Sequence, residues 1–148
     1  MHMIKRDGER LIVVLSSGNL SITQSAINLL EHQSKSADSE QTINNATSMF
    51  EIADLIGNAL REVRRRDGPY LAQSNIEAHA SFVVGGQIRG ETQRLFHVYS
   101  EGNFIEATPE TPYFQIGESK YGKPVNDRVV TLCRAVCTQI AIESDMKG

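Results

Sequence analysis

The stretch from Gly85 to Lys123, GGQIRGETQRLFHVYSEGNFIEATPETPYFQIGESKYGK, constrains the fold more than any other part of the chain. Short apolar runs alternate there with turn-forming residues. Phe82-Val83-Val84 leads in, and Leu95 to Tyr99 and Phe104 to Ala107 follow. Arg89-Gly90-Glu91-Thr92 and Ser100-Glu101-Gly102-Asn103 separate these runs. Each reads as a turn, because glycine reaches positive φ without a steric penalty. Strands joined by such short turns pair as an antiparallel meander. At Ile116-Gly117-Glu118-Ser119 the pattern changes from strand to helix.

The upstream half supplies more sheet and two helices. Met1 to Ile4 suits a short strand. Lys5 to Arg10 is a charged turn containing Asp7-Gly8, a hairpin signal. Leu11 to Leu15 is continuously apolar, as in a strand buried on both faces. Ser16-Ser17-Gly18-Asn19 ends it. A helix is expected from Leu20 to His32, with Ile22, Ala26, Leu29 and Leu30 at helical spacing. Ser21 and Gln24 fit a capping box at its start. Gln33 to Asn45 is polar and reads as a surface loop.

A second helix is expected from Met49 to Arg66. Ser48 and Glu51 repeat the capping-box pattern, and Met49, Ala53, Ile56, Leu60 and Val63 form one apolar stripe. Arg61, Arg64, Arg65 and Arg66 would occupy its last turns, where cations favour the helix dipole. Gly68-Pro69 would stop it. A last helix is expected from Pro124 to Ile142, with Val125, Val129, Leu132, Val136 and Ile140 on its buried side and Pro124 in its first turn. Strands, two helices, strands and a helix do not alternate as βαβ units. The order indicates an α+β chain, an antiparallel sheet with helices packed outside. No internal repeat or linker divides it, so residues 1–148 read as a single domain.

Composition excludes several functions. The chain has 148 residues, 40% hydrophobic and 22% charged, with a formal net charge of −3. That balance offers no electrostatic attraction for nucleic acid or an anionic membrane. No apolar run nears the roughly 20 residues that span a bilayer. The Met1-His2-Met3-Ile4-Lys5-Arg6 start lacks the apolar core of a signal peptide. Two cysteines, Cys133 and Cys137, fit a reducing compartment, and the expected location is the cytoplasm. They stand one helical turn apart, but two ligands do not make a zinc site. His2, His32, His79 and His97 show no metal spacing, and there is no phosphate loop or HExxH.

Three segments, GGQIRGE, RLFHVYSEGNFIEATPETPYFQIGESKYGKP and LIVVLSSGNLSITQSAINLL, resemble the Anbu-type proteasome homologues of bacteria. The resemblance extends over Met1 to Ile142. It implies a four-layer αββα sandwich of the N-terminal-nucleophile hydrolase type, here incomplete at its N-terminus. It implies peptide-bond hydrolysis by an N-terminal threonine, with a peptide or unfolded protein as substrate. It further implies self-association into a homo-oligomer that encloses its own active sites, with no cofactor.

The resemblance also assigns site residues. From the residues alone, Ser17-Gly18-Asn19 is either a tight turn that needs glycine or a strand end whose N–H groups hold an anion or oxyanion. The family glycine at this turn supplies the oxyanion-hole N–H, and Gly18 matches it in order and local sequence. A family serine beside the nucleophile corresponds to Ser119, although Glu118 or Ser119 also suits a simple helix cap. Asp145 follows the last shared helix, where the family carries a supporting aspartate.

The nucleophile itself would precede Met1. Such chemistry needs Thr, Ser or Cys activated by the chain's own free amine, and Met1-His2 offers none. The family aspartate and lysine also fall before Met1, and Lys5 and Asp7 stand in the wrong part of the pattern to replace them. The chain alone is therefore expected to be inactive. Two further possibilities remain open: a non-catalytic oligomerising subunit with this fold, or an unrelated hydrolase or binding domain.

Overall fold

Asp7-Gly8 makes the hairpin that its composition predicts. In the computed structural model, which describes residues 1–114 together with Ile116 and Gly117, β1 (His2–Arg6) pairs with β2 (Arg10–Gly18). The register runs from His2↔Val14 to Arg6↔Arg10. Gly8 turns at φ +72°, and the Glu9 N–H donates to the Arg6 carbonyl at 3.0 Å. On the other side of β2 lies β3 (Ala80–Ile88), then β4 (Arg94–Val98) and β5 (Phe104–Glu106). The sheet order is β1-β2-β3-β4-β5, antiparallel throughout. The meander stands as its turn residues indicate. Residues Met1–Ile116 form one compact unit.

Two helices, α1 (Leu20–Lys35) and α2 (Met49–Gln73), cover one face of this sheet. Because strand side chains alternate between faces, that face takes Ile12 and Val14 from β2, Phe82 and Val84 from β3, and Phe96 and Val98 from β4. All six are buried. They meet Ile22, Ala26 and Leu30 of α1 and Met49, Ile52, Ile56, Leu60 and Val63 of α2. The predicted stripes of both helices are thus the core. α2 approaches the β4–β5 turn so closely that a Cβ on Gly57 would collide with the Gly102 carbonyl.

Four expectations need correction. The apolar run Leu11 to Leu15 is buried on one face only: Leu11 is 46% and Leu15 43% exposed. Asn19, not Ser21, caps α1, and Gln24 donates to Asn28 instead of closing a capping box. α2 does not stop at Gly68-Pro69. Pro69 lies inside the helix, which runs to Gln73. It ends in a Schellman motif: Asn75 takes φ +55°, Asn75 N–H donates to Ala72, and Ile76 N–H to Leu71. Leu71 packs on the core edge, and this tertiary contact offsets the backbone bond that Pro69 cannot make. The four arginines therefore sit in the middle of α2, not in its last turns.

Residues 36–48 are polar, yet they are not simply surface. Thr42, Ile43 and Ala46 are buried. Arg10 reaches across from β2 and donates to the Ile43 carbonyl at 3.1 Å and the Ala46 carbonyl at 2.9 Å. The Ser48 cap is as expected: its Oγ accepts from Glu51 N–H at 3.1 Å. The Glu51 carboxylate reaches back one residue further, accepting from Thr47 N–H at 2.7 Å. The Pro124 to Ile142 helix and the Cys133–Cys137 pair lie outside the described residues.

Candidate functional site

Gly18 ends β2 at φ +99°. A Cβ there would collide with the His79 carbonyl and come within 2.9 Å of Ala80 Cα, so only glycine fits the turn. Gly18 and Ala80 are direct partners, and the next N–H along, that of Asn19, donates to the His79 carbonyl at 2.8 Å. In an antiparallel ladder this makes Gly18–Ala80 a non-hydrogen-bonded pair. The Gly18 N–H is thereby directed away from β3, toward the side where β1 pairs with β2. That pairing reaches only His2↔Val14.

Asn19 fixes the turn from the other side. Its Oδ1 accepts from the N–H groups of Ser21 at 2.9 Å and Ile22 at 3.3 Å, and its Nδ2 donates to the Glu77 carbonyl at 3.1 Å. One side chain thus starts α1 and ties it to the segment entering β3. Asparagine directly after a strand-ending glycine is a cap signal visible in the sequence. A small cleft of about 200 Å³ flanks the turn, with His2, Ser16, Leu20, Thr23, Gln24 and Glu31 in its walls.

Behind the turn lies a polar cluster that sequence reasoning missed. Ser100 is 2% exposed, and its Oγ lies 2.8 Å from Ala80 N, 2.6 Å from Ala80 O and 3.0 Å from His79 Nδ1. A hydroxyl has one proton and two lone pairs. Donation to Ala80 O leaves both lone pairs for Ala80 N–H and His79 Nδ1–H, which accounts for all three contacts. The serine–histidine distance would suit a nucleophile and base. However, the hydroxyl is buried and saturated by backbone, so the pair holds the turn instead of attacking a substrate. Arg64 completes the clamp, donating to the Ala78 carbonyl at 3.1 Å and the Ser100 carbonyl at 2.6 Å. Nothing in the sequence alone shows that these contacts converge.

A larger open groove of about 900 Å³ runs beside this clamp, lined by Arg61, Arg64, Arg65, Pro69, His79 and Glu101. Its cations are engaged. Arg61 bonds Asn58 at 2.6 Å, and Arg65 holds Glu62 through two bonds of 2.7 and 2.9 Å. The Arg65 guanidinium in turn keeps the Glu62 carboxyl below its ordinary range.

The sheet face opposite the helices carries His97, which is partnered in register by Val83 and Ile105. Its ring stacks on Tyr99 at 4.3 Å and lies 5.5 Å from Phe114. Nε2 is buried without a hydrogen-bond partner. Burial therefore pushes the imidazole below its ordinary pKa.

Among the described residues, no group of three or more His, Cys, Asp or Glu could hold a metal ion. No described helix is long and apolar enough to cross a membrane. Gly18 stands where the sequence places it, at a strand-to-helix turn. Ser119 and Asp145 lie outside the described residues.

No family model matches the chain, and no curated protein matches it. Solved structures do. Anbu, an ancestral β-subunit, from Yersinia bercovieri is 48% identical, with a TM-score of 0.75 over 86% of this chain and 51% of its own. Anbu from Hyphomicrobium sp. strain MC1 is 46% identical, with a TM-score of 0.73 over 86% and 51%. The Anbu complex from Pseudomonas aeruginosa, solved as a helical assembly, is 44% identical, with a TM-score of 0.77 over 86% and 52%. The chain spans about half the length of these relatives. With the antiparallel sheet, its two helices and the glycine turn between β2 and α1 all in place, the chain belongs to the Anbu family of proteasome-like proteins.

Proposed function

We propose that this chain is part of a proteasome-type peptidase domain whose Gly18 N–H stabilises the oxyanion formed during peptide-bond hydrolysis. One observation carries the proposal: the Gly18 N–H leaves the β2–β3 ladder and points to the side where β1 has already ended. A fixed backbone donor of this kind costs no reorganisation as charge develops. The two hydroxyls in the first turn of α1 are engaged locally. Ser21 Oγ bonds Asn19, and Thr23 Oγ1 bonds the Leu20 carbonyl. The attacking group, as the family resemblance implies, is a threonine activated by its own N-terminal amine. Ser119 and Asp145 support it. Residues 1–148 assayed by themselves are then without hydrolysis, and the substrate is a peptide or unfolded segment. The reaction needs no cofactor.

The open sheet face favours a companion statement about assembly. Met3, Leu11, Leu15 and Ile105 are 43–50% exposed on it. Such a face calls for a covering layer, and a second sheet would make the four-layer αββα sandwich. β1 and β5 are also unpaired on their outer sides among the described residues, and free strand edges invite another chain. Self-association follows, in keeping with the helical assembly of the Pseudomonas aeruginosa relative. The same features would serve a non-catalytic subunit, and the site would be cytoplasmic in either case.

The deciding experiment combines N-terminal sequencing of the native protein with a fluorogenic-peptide assay. The expected active species begins with threonine and contains the Gly18 turn. A native species that starts at Met1 and hydrolyses nothing would overturn the catalytic proposal and leave assembly as the function.

A further inference from the structure

A second polar groove lies at the opposite end of β2. Arg10 begins that strand and Gly18 ends it, about 26 Å away at roughly 3.3 Å per residue. The groove, of about 560 Å³, is walled by Arg6, Glu9, Arg10 and Arg89 on the hairpin side and by hydroxyl and amide side chains, including Ser36 and Asn44, on the other. Its charges do not balance. Three guanidinium groups line it with one carboxylate, Glu9, which pairs with Arg6 and Arg10 and not with Arg89. Glu9 Oε1 accepts from Arg6 at 2.9 Å and from Arg10 at 3.2 Å.

The Arg10 side chain is 5% exposed, and its Nε is buried with no partner. A buried cation is costly unless its charge is met. Here it is met in part by two carbonyls and a carboxylate shared with another arginine. Arg89 uses only Nε, which donates to the Gly8 carbonyl at 2.8 Å. Its terminal nitrogens make no hydrogen bond among the described residues. This differs from the groove along α2, where Arg65 pairs with Glu62, Arg64 with Glu101, and Arg61 bonds Asn58.

We infer that the groove between the β1–β2 hairpin and the 36–47 segment binds a small phosphate-bearing anion. Arg6 Nη1 is held by both Glu9 oxygens at 2.9 Å, so the terminal nitrogens of Arg89, with Arg6 Nη2, are the donors that match phosphoryl oxygens, and the facing hydroxyl and amide groups suit the remaining acceptors. The excess of positive charge sets the sign of the ligand. The site is independent of the peptidase proposal, since none of its residues belongs to the Gly18 turn.

The test is a titration of the 148-residue chain with pyrophosphate at low salt, followed by backbone amide shifts. Expected are saturable shifts confined to residues 6–10, 36–47 and 89. Arg89→Gln, an exposed change that spares the Arg10 staple, should weaken binding on the order of tenfold. Arg65→Gln should leave it unchanged. Absence of saturation at millimolar pyrophosphate would overturn the inference. So would equal weakening by both variants, or citrate binding as tightly as pyrophosphate.

Discussion

The two faces of the sheet are built from the same strands and fare very differently. On β2, Ile12 is 0% and Val14 3% exposed, while their neighbours Leu11 and Leu15 are 46% and 43% exposed. One face meets two helices. Among the described residues no helix covers the other, on which the His97, Tyr99 and Phe114 rings group together. The difference shows that an apolar run records where a strand can be buried, not what buries it. Leu11 and Leu15 suit a layer that residues 1–114 do not supply. Truncating a side chain on each face measures how different they are in solution. Phe82→Ala, in the helix-covered core, should cost about 3–5 kcal/mol. Leu15→Ala should cost about 1 kcal/mol or less. Urea unfolding of both variants checks this, and a Leu15→Ala loss close to that of Phe82→Ala would show the open face covered.

The next effect is smaller and concerns the turn that joins β2 to α1 on the covered face. Asn19→Ala removes the α1 cap and the tie to Glu77, and should cost about 0.5–2 kcal/mol. If Asn19→Asp, which keeps the Oδ1 acceptor but not the Nδ2 donor, recovers most of that loss, the cap is the larger part. If it recovers none, the Glu77 tie is.

Local chemistry made much of this legible. Asp7-Gly8, Gly90 and Gly102 mark turns because each needs a backbone that few other residues adopt. The Gly18 turn between a strand and a helix was legible for the same reason, while its assignment to a site came from the family resemblance. What escaped depends on contacts distant in sequence. Arg10 reads as part of a charged turn, and only the carbonyls of Ile43 and Ala46, more than thirty residues away, make it a buried staple. Pro69 reads as a helix stop, and it fails because Leu71 has core to pack against. The Ser100–His79–Arg64 clamp joins three separate segments, so no local pattern announces it.

The weakest expected effect tests the open face most directly. His97 Nε2 is buried and unpaired, and the groups around it are Tyr99 just past the end of its own strand, Val83 and Ile105 on the adjacent strands, and Phe114. None of them is a carboxylate that would favour the imidazolium. Its pKa is therefore below the ordinary histidine value in the folded chain. Well above the ordinary histidine value of about 6.5, from about pH 8 upward, both folded and unfolded states hold it neutral, and it contributes no pH dependence. As pH falls through about 6.5, the unfolded state takes up the proton first, so stability declines until the folded pKa is also passed. His97→Phe keeps a ring on Tyr99 and removes the proton site. Subtracting its pH–stability curve from that of the parent isolates this contribution from the other three histidines. A decline below pH 6.5 that vanishes in the variant shows a bare, unpaired imidazole. Were the difference instead to grow more favourable to the parent at low pH, an acceptor would have to face Nε2, and the acceptor could only come from a layer covering that face.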